Sequence, residues 1–232
     1  MSILLRNGNI LTNEELFALP VDEYGWRVLP DGDEVKIGHG AHFGISVSLG
    51  DEVRIGNETS IGGWGDIGDG VSLGDGLSIG NETRIGNRVC IGDHVRIGGL
   101  NVVGEGVSIG DGASLGDGVS IGPLTRIGNH ARIGNETSIA GRAIIGERAI
   151  FHQSPLAVQG TMHLVNQHSL GKVAIGCLIH TVEHWLENYR EIGEENGYTP
   201  EQIEEYGKIL MFVAQNGVPV GVAGAAVQEG ER

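Results

Sequence analysis

Residues 79–98 read IGNETRIGNRVCIGDHVRIG: an aliphatic residue, a glycine, then Asn or Asp, with the aliphatic residue back at every sixth position. The beat extends in both directions from Ile37 to Ile145 without a slip. Phe43 is its one non-aliphatic member and Ala140 the one non-glycine behind it. Nineteen hexads begin between those limits. Collagen needs a period of three, and the calcium-binding roll built from Gly-Asp repeats has a nine-residue unit, so a period of six excludes both.

An extended segment points alternate side chains to opposite sides. In IGDHVR (residues 91–96), Ile91 and Val95 are therefore expected to face inward and Arg96 outward. The Gly-Asp or Gly-Asn pair supplies a corner, since those residue types tolerate left-handed backbone best. Three such faces close a triangle, and nineteen hexads make a little over six coils. At about 4.8 Å per rung, the prism is about 30 Å long. Terminal rungs expose unpaired backbone and apolar core, so an array of this kind needs covers at both ends.

With these residues in view, the stretch 79–98 resembles the hexapeptide-repeat, left-handed parallel β-helix proteins, known from bacterial acyltransferases and gamma-class carbonic anhydrases. The resemblance covers about half the chain. It implies left-handed coils, against the usual crossover rule, and a homotrimer.

The flanks read differently. Residues 1–30 are expected to form an N-terminal cap: a hairpin turning at Asn7-Gly8, a short helix through EELFAL capped by Thr12 or Asn13 and ended before Pro20, and Trp26, Val28 and Leu29 covering the first coil. The β-helix occupies 31–151. Residues 152–216 read as a small α+β domain, with two or three strands turning at Gly160 and Gly171, then a helix over about 181–191. A second helix starts at Thr199, with Pro200 at its first position, Gln202 closing a capping box, and a stripe of Ile203, Tyr206, Leu210 and Val213. Residues 217–232 read as a tail that is loose or lies on a neighbour. The fold class expected is mainly β: a left-handed β-helix of about six coils with a small C-terminal α+β domain. That last domain also resembles a small domain found behind repeat arrays in uncharacterised phage and bacterial proteins, through Gly160, Ile175-Gly176-Cys177, the Trp185 helix, Gly197-Tyr198 and Glu205-Tyr206. This likeness implies a phage-type protein and brings no activity with it.

Fifteen Lys and Arg against thirty Asp and Glu give a formal charge of −15, which repels phosphate backbones and anionic lipid at long range. Neither nucleic acid nor membrane is an expected partner. The opening residues carry acids too early for a signal peptide or spanning helix. Cys90 and Cys177 are too few for a disulfide framework, which fits a reducing compartment: cytoplasmic, or the host cytoplasm if phage-encoded.

An acyltransferase of the resembled family needs a histidine base near an inter-subunit cleft, with a loop thrown out to shape a pocket. The register admits no insertion. His94 and His130, six hexads apart on one edge, are the candidate bases for acyl transfer from a coenzyme A thioester. His39 and His42 lie at the least regular hexad with no third histidine on the next rung, so zinc hydration chemistry is disfavoured. Trp64 and Leu100 share another edge as apolar corner residues and suggest a subunit contact or ligand platform; Leu124 stands on a different edge. RIGNETSIGG at Arg54 returns as RIGNETSIAG at Arg132, thirteen hexads on and therefore on a different face, as building material would. In the C-terminal domain, His163, His180, Thr181 and Trp185 are candidate ligand contacts, with an anion expected at the helix start beside His180. Cys177, His180 and His184 form the alternative metal set. The leading expectation is a non-catalytic trimeric scaffold or binding protein that sequesters a small ligand or inhibits a host factor, without cofactor or metal. The alternative is a hexapeptide-type acyltransferase.

Overall fold

The computed structural model describes residues 2–5, 8–217 and 220–222. The repeats wind into a left-handed β-solenoid of about six turns, followed by a small antiparallel sheet with two helices. Rungs pair in parallel with the residue eighteen positions on, as Ser72 with Cys90 and Leu73 with Ile91. The first face runs from Val47–Leu49 to Ser138–Ile139, the second from Glu34–Ile37 to Ile144–Ile145 and the third from His42–Phe43 to Ala149–Phe151.

The inward assignment follows the sequence pattern. The aliphatic column is buried throughout, and so is the position two before it, where Val53, Val71, Val89 and Val95 stand. Thr59, Thr83, Thr125 and Asn101 take that second position in other hexads, buried but satisfied. Thr59 Oγ1 donates to Gly74 O (2.9 Å), and Asn101 Nδ2 donates to Gly98 O (2.7 Å) while its Oδ1 accepts from Val119 N (2.6 Å).

The corners differ from the sequence expectation. The left-handed residue is the third after each aliphatic one, next to the position usually held by Asp or Asn, and thirteen of these are not glycine, among them Glu58 (φ 54°), His94 (56°) and Leu100 (60°). The glycine behind each aliphatic residue serves contact: a Cβ on Gly92 would lie 2.1 Å from Asp111 Oδ1 on the next coil. The Asp and Asn side chains form ladders, each Oδ1 accepting the backbone N–H of its counterpart one coil earlier, as Asn87 from Asp69 (3.0 Å) and Asn129 from Asp111 (3.1 Å).

Both ends are covered. The hairpin of Ser2–Leu4 and Ile10–Thr12 lays its first strand parallel to Val47–Leu49, and Arg27–Val28 lies antiparallel on Glu34–Ile37. Helix α1 (Asn13–Ala18) begins at a Thr12–Glu15 capping box and buries Leu16. At the far end, Asn166 exchanges two hydrogen bonds with Ile144, Ser154 Oγ accepts from Ser138 N (2.9 Å), and Val220–Val222 runs antiparallel on Ala149–Phe151. Part of the expected loose tail thus lies on the chain's own last coil. Residues 218–219 and 223–232 of that tail, and Asn7 of the expected turn, fall outside the described residues.

Candidate functional site

The C-terminal domain has four antiparallel strands, Ala157–Gln159, Leu164–Ser169, Lys172–Ile175 and Leu178–Thr181, one more than expected because Gly176-Cys177 makes a further tight turn. Helices α2 (Val182–Glu195) and α3 (Pro200–Asn216) pack on it, α3 starting from the expected Thr199–Gln202 capping box. Trp185 is buried, and its Nε1 donates to Val173 O (2.9 Å). The Tyr206 hydroxyl accepts from Met162 N (3.0 Å) and His163 N (2.6 Å) and donates to His163 O (3.1 Å), which pins the turn after Gly160. Two helix-borne glycines let the layers close: a Cβ on Gly193 would lie 2.7 Å from Ile203, and one on Gly207 would lie 2.6 Å from the Tyr189 ring.

These approaches leave a cavity of about 130 Å³ among Met162, His163, Cys177, Trp185, Tyr189 and Tyr198. Its walls are aromatic. Tyr198 stacks on Tyr206 at 5.3 Å with planes 9° apart, and His163 meets Tyr198 edge-on at 6.1 Å. Burial holds the Tyr198 phenol above its ordinary pKa, with the neighbouring Tyr206 and Cys177 adding to the shift. The volume is close to that of an engineered apolar cavity of about 150 Å³ that takes up benzene.

Of the residues singled out from the sequence, His163 and Trp185 line this cavity. Thr181 is the N-cap of α2, its hydroxyl accepting from His184 N (3.2 Å), and Val182 N donates to Gly171 O (2.9 Å). Two of the free N–H groups expected to receive an anion are therefore already taken up. His180 and His184 stack on each other at 4.5 Å, and His180 meets Trp185 edge-on at 5.0 Å. Burial, then the charge of His184, holds the His180 pKa below its ordinary value. Cys177 instead sits in the turn at the cavity, and no three His, Cys, Asp or Glu side chains gather to hold a metal among the described residues.

In the array, His94 and His130 are exposed corner residues, each lying over the glycine of the preceding coil; a Cβ on Gly112 would be 2.4 Å from His130 Nδ1. They occupy the edge between the second and third faces. Trp64 (57% exposed) and Leu100 (62%) lie on the edge before the first face and Leu124 on the edge after it. Ile45 and Val102 complete a set that brackets one face, so Leu124 belongs with Trp64 rather than apart from it. Among the described residues, the coils of the other two faces carry no exposed large apolar side chain, although Val28 is exposed on the strand that covers the second.

The sequence places Tyr206 on a helix stripe but does not show that it walls a cavity with Tyr189 and Tyr198. The signal available was Gly193 and Gly207, since glycine inside a helix often marks close packing.

A family model described as bacterial transferase hexapeptide (six repeats) matches residues 102–135. Comparison with curated proteins returns no match. Among solved structures, the acetyltransferase domain of PglB from Neisseria gonorrhoeae, in complex with acetyl coenzyme A, is 18% identical with a TM-score of 0.30, covering 47% of this chain and 52% of that one. The match thus spans about half that domain's length. LpxA, a UDP-N-acetylglucosamine acyltransferase from Bacteroides fragilis, is 17% identical with a TM-score of 0.41, covering 81% of this chain and 74% of that one. The corresponding enzyme from Campylobacter jejuni is 15% identical with a TM-score of 0.39, covering 79% of each. The coordinates and the hexapeptide match together identify the array as a hexapeptide-repeat, left-handed parallel β-helix.

Proposed function

We propose that this chain is a binding protein: the β-helix is a scaffold through which three copies associate, and the C-terminal domain holds a small single-ring molecule. The observation that carries this reading is the cavity beside Tyr198. Residues 162–163, the 176–177 turn, α2 and the α2–α3 connection converge there, as a ligand pocket requires. Aromatic walls give stacking, and the His163 ring and Cys177 thiol provide polar contacts at the same place. Sequestration needs binding without turnover, and nothing more than this pocket. Helices long and apolar enough to cross a membrane are absent among the described residues.

The first face supports the scaffold half. Ile45, Trp64, Leu100, Val102 and Leu124 are exposed in one chain, and each fully buried apolar side chain contributes about 1.5–3 kcal/mol. Self-association along this face removes all five from water.

A second reading, acyl transfer from a coenzyme A thioester, draws on the transferase-type match over 102–135, which includes His130. Its base would be His94 or His130. Those residues stand on the edge opposite the first face, so subunits meeting through that face leave them outside the interface.

Two measurements separate the readings. Phenol, as a single-ring probe, raises the melting temperature of the wild-type protein by mass action and leaves Tyr198→Ala unmoved. Incubation with acetyl coenzyme A and sugar or amine acceptors releases no free thiol; release abolished by His130→Ala establishes the second reading instead.

A further inference from the structure

With acids outnumbering bases two to one, a group of cations with no acid among them is out of character for this chain. One lies at the N-terminal end of the second face. Lys36 and Arg54 are neighbours on adjacent rungs of the outward column, and Arg27 comes from the strand that covers the first rung. The three line a groove of about 480 Å³ together with Gly38, Gly56 and Asn57, and no Asp or Glu lines it. None of the three is in an ion pair with another described residue. The pairs among the described residues are Arg88–Glu105, Arg148–Glu147 and Arg190–Glu204. Arg27 Nε is buried without a hydrogen-bond partner.

The cations are also held in place. Trp26 covers the Arg54 guanidinium at 4.6 Å, the Phe17 ring lies 5.6 Å from that of Arg27, and the Lys36 stem runs beside Gly25, where a Cβ would be 3.1 Å from Cε. The loop that supplies Trp26 is closed by Asp22, whose Oδ1 accepts from Tyr24 N (2.9 Å) and Trp26 N (2.8 Å). Like charges fixed close together repel one another, and an anion between them reverses the sign of that energy.

We propose that this groove binds a small phosphorylated molecule through its phosphate or pyrophosphate group. Two guanidinium groups and an ammonium lining one groove suit several anionic oxygens at once, more than a single carboxylate offers. Only two rungs carry the cations, and the net charge of the whole chain repels a long polyanion, so the occupant is a small molecule and not a nucleic acid.

Isothermal titration of the full chain with inorganic pyrophosphate tests the assignment, with sulfate as a competing anion. One site per chain is expected, weakened by added NaCl. Arg54→Gln and Lys36→Gln are each expected to weaken it about tenfold, the loss of one charge-assisted contact. Both side chains point out of the array, so the variants keep the parent melting curve. Arg126→Gln, farther along the same outward column, leaves binding unchanged. Absence of pyrophosphate binding, equal binding of sulfate, or the same loss in Arg126→Gln as in Arg54→Gln overturns the proposal.

Discussion

The array and the C-terminal domain solve the same packing problem in opposite ways. In the array every coil repeats one solution: an aliphatic stack, a glycine for close approach, and an Asp or Asn ladder that ties each corner to the last. Repetition by itself leaves no coil that differs enough from its neighbours to become a pocket; the groove of Lys36 and Arg54 arises only where the cap meets the first rungs. The C-terminal domain is built from single-use contacts, such as Tyr206 on the 160–163 turn, Gly207 against Tyr189 and Trp185 on Val173. Irregular packing of that kind leaves a cavity, and chemically distinct side chains meet in it.

The sharpest way to break the contrast is to damage each region separately. Ile91→Asp places an unpaired carboxylate in the dry stack and costs several kcal/mol. Circular dichroism melts are expected to show the array's transition lost or far lower, and an unchanged melt contradicts the inward assignment. Tyr206→Phe leaves Met162 N and His163 N without their acceptor, at a cost of about 1–3 kcal/mol. Hydrogen exchange is expected to speed up within residues 160–164 and to stay as in the parent across the array.

His168 sits where the two regions meet. Its carbonyl accepts from Gly146 N (2.8 Å) of the last coil, and its ring would lie 2.5 Å from a Cβ on that glycine. Burial first, then the Lys172 charge, holds its pKa below the ordinary value. The unfolded chain therefore takes up the proton before the folded one. Stability is full above the ordinary pKa of about 6.5 and declines as pH falls through the lowered folded value. Melting temperatures across that window are expected to fall less in His168→Gln than in the parent. The smallest effect concerns the corners. Glu58→Gly relieves a left-handed non-glycine residue and is expected to stabilise the array by less than about 1 kcal/mol, read as a small rise in its melting temperature.

The array was legible in the sequence because its information is periodic: six-residue spacing sets which side faces inward, how many residues close a coil and how many coils there are. What the period does not reveal is why each residue sits at its corner. Asp and Asn were expected to carry the left-handed backbone, but their side chains bond to the coil before them, and Glu58 or His94 takes the strained position. Trp64 and Leu100 on one edge and Leu124 on another were legible from the six-residue register, but that the two edges flank one face was not drawn from it, because adjacency across a face depends on the sense in which corners follow one another. In the C-terminal domain, local signals worked where the structure is local: Thr199, Pro200 and Gln202 start α3 as expected. The cavity escaped because His163, Cys177, Tyr189 and Tyr198 are brought together by tertiary packing, with no common spacing to mark them.

The central claim is that function lies in the irregular region, carried on an assembled regular one. Native mass spectrometry of protein taken directly from cells tests it most directly. The account predicts a trimer retaining one small molecule per chain, with that added mass lost in Tyr198→Ala while the trimer remains. A bare monomer, or an added mass that survives both Tyr198→Ala and Arg54→Gln, contradicts it.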